Sequence, residues 1–285
     1  MTENRLEGKI CLVTGSTSGI GKVTARELAN QGATVVLVSR TRAKGEATQA
    51  EITQATGNPH VELLVADLSL LADVRRLASE FQQTSPHLHL LVNNAGCAYP
   101  TRTLTSEGLE ATLVVNYLAP FLLTELLLDR LKASAPARIV NVSSAQHANA
   151  HIEFDNLQGE KKYGNLSTYN QAKLAVLLWT YELARRLKGT GVTVNALHPG
   201  ITATNFPSGM TGVLAWGMKL SKPFLLTPEK GAQTTLYLAT SPEVEGVTGK
   251  YFVKSHETKS SNDSYDQTVG ARLWEVTEQL VARSA

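Results

Sequence analysis

Six short apolar runs, at residues 10–14, 34–39, 61–66, 88–92, 137–142 and 192–197, alternate with helix-length amphipathic segments at 20–31, 43–56, 70–84, 106–132 and 167–188. This alternation limits the fold more than any other feature of the chain. Runs rich in Val, Leu and Ile suit strands buried on both faces, as in parallel sheets. Parallel neighbours need a crossover, usually helical and right-handed, so the helices must cover both faces of one sheet. A seventh run, 250–253, follows a helical segment at 229–239. The expected fold is α/β: one doubly wound domain over residues 1–285, with a mostly parallel seven-stranded sheet and helices on both faces. No internal repeat, low-complexity tract or linker marks a domain boundary.

Charge and cysteine content narrow the function classes. With 285 residues and a formal net charge of +2, the chain shows no electrostatic footprint for nucleic acid. Cys11 and Cys97 cannot form a disulfide framework, which fits a reducing cytoplasm. Residues 1–9 are polar and lack a signal-peptide core. The longest apolar stretch, 113–128, is broken by Asn116, Pro120, Thr124 and Glu125 and is not expected to span a bilayer. A soluble, cytoplasmic protein is expected. His147 and His151 have a spacing that holds metal on a helix, but no carboxylate motif accompanies them, so no metal site is expected.

The first strand runs straight into Gly15, Ser16, Thr17, Ser18, Gly19, Ile20 and Gly21. Glycines between a strand and a helix allow a tight turn and close backbone approach to a pyrophosphate at the helix N-terminus. The three residues between Gly15 and Gly19 depart from the Gly-x-Gly-x-x-Gly spacing. Ser39 and Arg40 end the second strand, where an acid would bind an unmodified adenosine ribose. Arg40 instead suits a ribose phosphate, which favours NADP over NAD. After the third strand, Asp67 and Leu68 offer a carboxylate for the adenine amino group or for capping the next helix. Asn94, Ala95 and Gly96 at the fourth strand's end let backbone approach the cofactor, and they also fit a simple turn. Pro199 and Gly200, with Thr202 and Thr204, follow the sixth strand and can fix a carboxamide.

Tyr169 and Lys173 stand at i and i+4, on one face of a helix. An ammonium beside a phenol favours phenolate, so the Tyr169 pKa is expected to fall toward working pH. Such a tyrosine can pass a proton to or from a substrate oxygen.

Together these motifs resemble the short-chain dehydrogenase/reductase family in family order, from Thr14 to Thr204. The stretch from Arg138 through Val142 to Ser144, together with Gly21-Lys22 and His198-Pro199-Gly200, resembles the retinol dehydrogenase-like branch. The long spacing from Ser144 to Tyr169 suits that branch, as does the segment from Ala271 to Glu275. The resemblance implies a Rossmann-type fold and four catalytic positions. Tyr169 is the implied general acid/base, and Lys173 lowers its pKa and holds the nicotinamide ribose. Ser144, rather than Ser143, binds the substrate oxygen. Asn116 breaks its helix locally and holds a relay water. Branch members often carry an N-terminal membrane anchor, and residues 1–9 show none, which argues against retinoids and a membrane location. Many relatives are dimers or tetramers, so a homo-oligomer fits the resemblance.

The expected function is NADP-dependent interconversion of a carbonyl and an alcohol on a hydrophobic small molecule. Tyr99, Phe206, Leu214 and Trp216 are candidate substrate contacts, the last three within an apolar, glycine-containing lid at 202–228. Two rivals keep the fold: a cofactor-binding sensor, and a lyase or epimerase without net redox turnover. A sensor has no need of Asn116, Ser144, Tyr169 and Lys173 together.

Overall fold

The apolar runs form β1 (Ile10–Thr14), β2 (Thr34–Ser39), β3 (Val61–Val65), β4 (Leu90–Asn93), β5 (Ala137–Val142), β6 (Val192–His198) and β7 (Tyr251–Val253) in a computed structural model that describes residues 5–200 and 226–282. A two-residue antiparallel strand, β8 (His256–Glu257), closes the edge. The sheet therefore has eight strands in the order β3-β2-β1-β4-β5-β6-β7-β8, one more than expected. Two residues have no hydrophobic period of their own, so β8 left no mark in the sequence. All other pairings are parallel. Chain order reverses where β1 lies between β2 and β4, which opens a crevice at the carboxyl ends of Thr14 and Asn93.

Helices cover both faces. They are α1 (Gly19–Asn30), α2 (Arg42–Thr56), α3 (Leu71–Thr84), α4 (Ala111–Ala133), α5 (Asn165–Arg186), α6 (Pro228–Thr240) and α7 (Gln267–Ala282). On one face Leu71, Leu77 and Phe81 of α3, Leu113, Phe121 and Leu127 of α4, and Leu174 and Trp179 of α5 bury against Leu12, Leu91 and Ile139. On the other, Ala25 and Leu28 of α1, Ile52 of α2 and Leu238 of α6 bury against Val13, Leu37 and Val92. Fully burying one such side chain stabilises the fold by about 1.5–3 kcal/mol.

The helix α7 was not foreseen. Its Trp274 packs edge-on against Phe121, with ring centroids 5.0 Å apart, and its Thr277 Oγ1 lies 2.7 Å from the Tyr117 hydroxyl. α4 lies within one residue of the expected 106–132 segment at its end and starts five residues later. Its 23 residues are long and apolar enough to cross a membrane by length and composition, but most of its apolar window is buried inside the domain. Asn116 and Thr124 do not end the helix, because they point into polar contacts within the core.

The start of α3 is held from a distance. Both oxygens of the Glu107 carboxylate accept from its first amides, Leu71 N at 2.8 Å and Ala72 N at 2.9 Å. A helix start leaves such donors unpaired, and a lost cap costs about 0.5–2 kcal/mol. Glu107→Ala is thus expected to lower Tm by roughly 2–6 °C for a domain of this size. An unchanged thermal melt would show that water replaces this cap at no cost.

Candidate active site

Close backbone packing builds the glycine turn. Gly15 and Gly19 have φ of 64° and 54°, a region that favours glycine. At Gly21 a Cβ would lie 2.3 Å from the Gly15 carbonyl oxygen and 2.4 Å from Asn94 Nδ2, so no side chain fits. Asn94 Nδ2 donates to Thr14 O and Gly15 O at 2.9 and 3.2 Å, and Thr14 Oγ1 accepts from Asn94 N and Ala95 N. Asn94 therefore locks the turn with its side chain, beyond the small-residue role expected of it. Ser16 is buried, donating to Val38 O and accepting from Val38 N, so its hydroxyl belongs to β2. The α1 cap residue, Ser18, is exposed and makes no side-chain cap bond, while Thr17 is half-buried and Ile20 is buried against Val23 and Ala232. The first amides of α1 are left for a ligand's anion.

At the end of β2, Ser39 Oγ donates to Thr41 O at 2.8 Å, which shapes the turn that carries Arg40. Arg40 is exposed and has no ion pair among the described residues, whereas Lys22 pairs with Glu51 and Arg42 with Glu46. Asp67 Oδ1 accepts from Ser69 N and Ser69 Oγ. It shapes that turn and does not cap α3, a role taken by Glu107; no pattern within the local sequence signals so distant a partner. Leu68 packs partly buried against the core.

α4 carries a π-helical turn over Val114–Leu118, centred on Asn116. Asn116 Nδ2 donates to Thr112 O at 2.7 Å and to Cys97 O at 2.6 Å. The side chain thus serves the carbonyl that its own backbone amide would serve in a regular α-helix. Asn116 Oδ1 is buried without a partner, and a Cβ on Gly96 would lie 2.9 Å from it. A buried, open acceptor at the crevice is the kind of group that a ligand or water completes.

Two adjacent serines leave β5 for different tasks. Ser143 Oγ donates to Lys173 O at 2.9 Å and is structural. Ser144 caps the short helix Ala145–Asn149, its Oγ accepting from Gln146 N, and its hydroxyl lies close enough to the Tyr169 phenol to favour phenolate. Lys173 Nζ donates to Val142 O at 3.0 Å and sits 5.6 Å from the Tyr169 ring centroid. Burial drives Lys173 down to about 8.

The tyrosine does not follow the sequence expectation. Burial pushes the Tyr169 phenol above its ordinary value, the Ser144 hydrogen bond opposes this, and Cys97 adds to the rise. The reason is burial, which opposes charge on the phenol and on Lys173 alike.

Pro199 is buried, and Gly200 has φ 87° with Leu226 pressed against the space of a Cβ. Thr202, Thr204, Phe206, Leu214, Trp216 and most of the 202–228 lid lie outside the described residues. Tyr99 is held by its backbone: its carbonyl accepts from the Tyr163 hydroxyl at 2.8 Å and its N–H donates to Thr112 Oγ1. Its phenol is raised chiefly by burial and senses Cys97, Arg40, Asp67 and Glu110. Sequence reasoning missed Glu110, a fully buried carboxylate whose oxygens accept from Thr112 N and Leu113 N and so start the helix of Asn116. An acid directly before an apolar helix was the available signal.

Residues 9–211 match the family model described as short chain dehydrogenase. The chain is 43% identical over 277 residues to retinol dehydrogenase 11 of Homo sapiens, covering 97% of this chain and 87% of that relative. Among solved structures, an uncharacterized protein from Mycobacterium paratuberculosis matches with a TM-score of 0.78 and 31% identity over 97% of this chain and 94% of its own. The Pseudomonas aeruginosa RhlG/NADP active-site complex matches with a TM-score of 0.69 and 27% identity, over 93% and 99%.

Proposed function

The chain belongs to the short-chain dehydrogenase family, and we propose that it interconverts a hydrophobic alcohol and its carbonyl compound with NADP as the hydride carrier. That it is an oxidoreductase of alcohols or carbonyls with a nicotinamide cofactor follows from the family itself. The observation that carries the finer reading is the convergence of Ser144, Tyr169, Lys173 and Asn116 beside the crevice that Gly15, Gly21 and Asn94 shape.

This chain's own residues fit a dinucleotide. The glycine cradle that a Cβ would fill and the uncapped start of α1 suit a pyrophosphate, and Lys173 and the open Asn116 Oδ1 suit groups beside the nicotinamide. When bound, the cofactor accepts or donates the hydride. Tyr169 takes the hydroxyl proton of an alcohol or returns it to a carbonyl oxygen, and Ser144 holds that oxygen in line with the phenol. Lys173, an ammonium below about pH 8, stabilises the phenolate as the proton leaves.

Arg40 supports NADP over NAD, because an exposed guanidinium without an ion pair among the described residues meets a ribose phosphate at no cost of a broken salt bridge. NADP is expected to bind at least about tenfold more tightly than NAD, or about 1.4 kcal/mol. Arg40→Asp should close or reverse that gap in a fluorescence titration, and equal affinities in the parent protein would sink the assignment.

The hydrophobic substrate class is supported by the apolar residues of 206–226 and by a relative whose name specifies retinol. A panel of short, aliphatic, aromatic and polyene alcohols and aldehydes, retinol among them, tests it through the absorbance of reduced nicotinamide. Higher kcat/KM for the long apolar members is expected. A preference for small or polyhydroxylated substrates would overturn the class while leaving the reaction type intact.

A further inference from the structure

We propose that His147 is the positioning residue of Ser144, a strut that ties the serine's turn to the segment 258–266 and through it to α5; the proposal rests on the reading above and deepens it. The ring is buried, with Nδ1 2.6 Å from Ser144 O and Nε2 3.1 Å from Ser261 N. Each partner is one-sided. A carbonyl oxygen only accepts, so Nδ1 carries the proton; a backbone N–H only donates, so Nε2 is bare. The two contacts therefore admit a single tautomer and a single ring orientation. Tyr251 meets the ring edge-on, centroids 5.1 Å apart at 74°, and fixes its plane. Burial keeps the ring neutral, its pKa below the ordinary histidine value.

The far end of the strut is itself anchored on the helix that carries Tyr169 and Lys173. Ser260 Oγ lies 2.7 Å from the Tyr181 hydroxyl and 2.6 Å from Ser264 Oγ, and the Tyr265 ring stacks on Tyr181 at 5.2 Å and 3°. Ser144 is thus referenced to α5 through its carbonyl, by way of His147 and the 258–266 segment, while its hydroxyl faces the Tyr169 phenol. Serine hydroxyls rotate freely unless their backbone and partners are fixed, and small misplacements at a reacting oxygen are costly in rate. Both ring nitrogens of His147 are engaged by backbone groups, so it acts through Ser144.

A double-mutant cycle separates this role from plain stability. His147→Ala is expected to lower kcat at least about tenfold in the parent protein, with KM for NADP within about twofold, yet to cost less than about twofold in a Ser144→Ala background. His147→Asn, whose amide donates near the place of Nδ1, should recover most of the lost kcat. Equal losses in both backgrounds, or full activity of His147→Ala, would overturn the proposal. Long-range proton–nitrogen NMR of the parent protein tests the geometry without turnover: the Nδ1–H tautomer is expected, and an Nε2–H tautomer or an imidazolium at neutral pH overturns it. Full activity in Tyr169→Phe would instead sink the reading of the site, with the tautomer result unaffected.

Discussion

Tyr169→Phe is expected to lower kcat for both alcohol oxidation and carbonyl reduction by roughly 10²–10⁴-fold, the usual worth of a positioned acid or base. The ring stays, so packing against Lys173 and binding of NADP should stay as well. The direction of the pH dependence follows from the buried phenol. Alcohol oxidation needs phenolate, so its kcat should climb as pH rises above neutrality. Carbonyl reduction needs the phenol and should hold its rate there. Steady-state kinetics in both directions, beside a titration of NADP binding, check this. A Tyr169→Phe variant keeping half its activity would remove the phenol from the proposed chemistry.

Lys173→Met should abolish turnover and yet yield a more stable protein. A lysine held at about 8 rather than 10.5 disfavours the fold by roughly 3 kcal/mol, at about 1.4 kcal/mol per pKa unit. The hydrogen bond from Lys173 Nζ to Val142 O offsets about 1 kcal/mol of this. The sign is fixed by the charged form being the disfavoured one. Below pH 8 the folded state must hold a buried ammonium, so the full cost is present. Between about 8 and 10.5 the unfolded chain binds more protons than the folded one, and the cost disappears as pH rises. Lys173→Met is therefore expected to raise Tm by several degrees at pH 7, with the gain shrinking toward pH 10. A lower Tm at pH 7, or a gain that grows with pH, would show that the ammonium is not paid for by the fold. Stability traded for a buried charge in this way is common where function needs that charge.

The sheet was legible in the sequence because buried parallel strands are nearly all Val, Leu and Ile. β1, β2 and β5 have the expected limits, β3, β6 and β7 differ by one residue at one end, and β4 differs at both ends. β8 and α7 were not legible, the first for its brevity. The second lies after the last strand, where no alternation pointed to it, although Leu273, Trp274 and Val281 fall on one buried face. The motif residues stood out because they recur together in one order, glycine and asparagine at strand ends and the Tyr169–Lys173 pair one turn apart on a helix, although each alone also fits an ordinary turn or helix. Their partners were hidden. Glu107 reaches α3 across 36 positions, and His147 reaches Ser261 across 114. Only a folded chain brings such pairs together. The pKa of Tyr169 went the other way from expectation for a similar reason: spacing gives the neighbour, and burial decides whether that neighbour is charged.

The central claim is direct hydride transfer to the nicotinamide with the proton handled at Tyr169. Incubating the parent protein with NADP and a long-chain primary alcohol deuterated at its carbinol carbon, then weighing the reduced cofactor by mass spectrometry, tests it most directly. One deuterium should appear in the cofactor for each aldehyde formed, and Tyr169→Phe should slow its appearance by at least about 10²-fold. Turnover that leaves the reduced cofactor unlabelled, or labelling at the parent rate in Tyr169→Phe, would contradict the account.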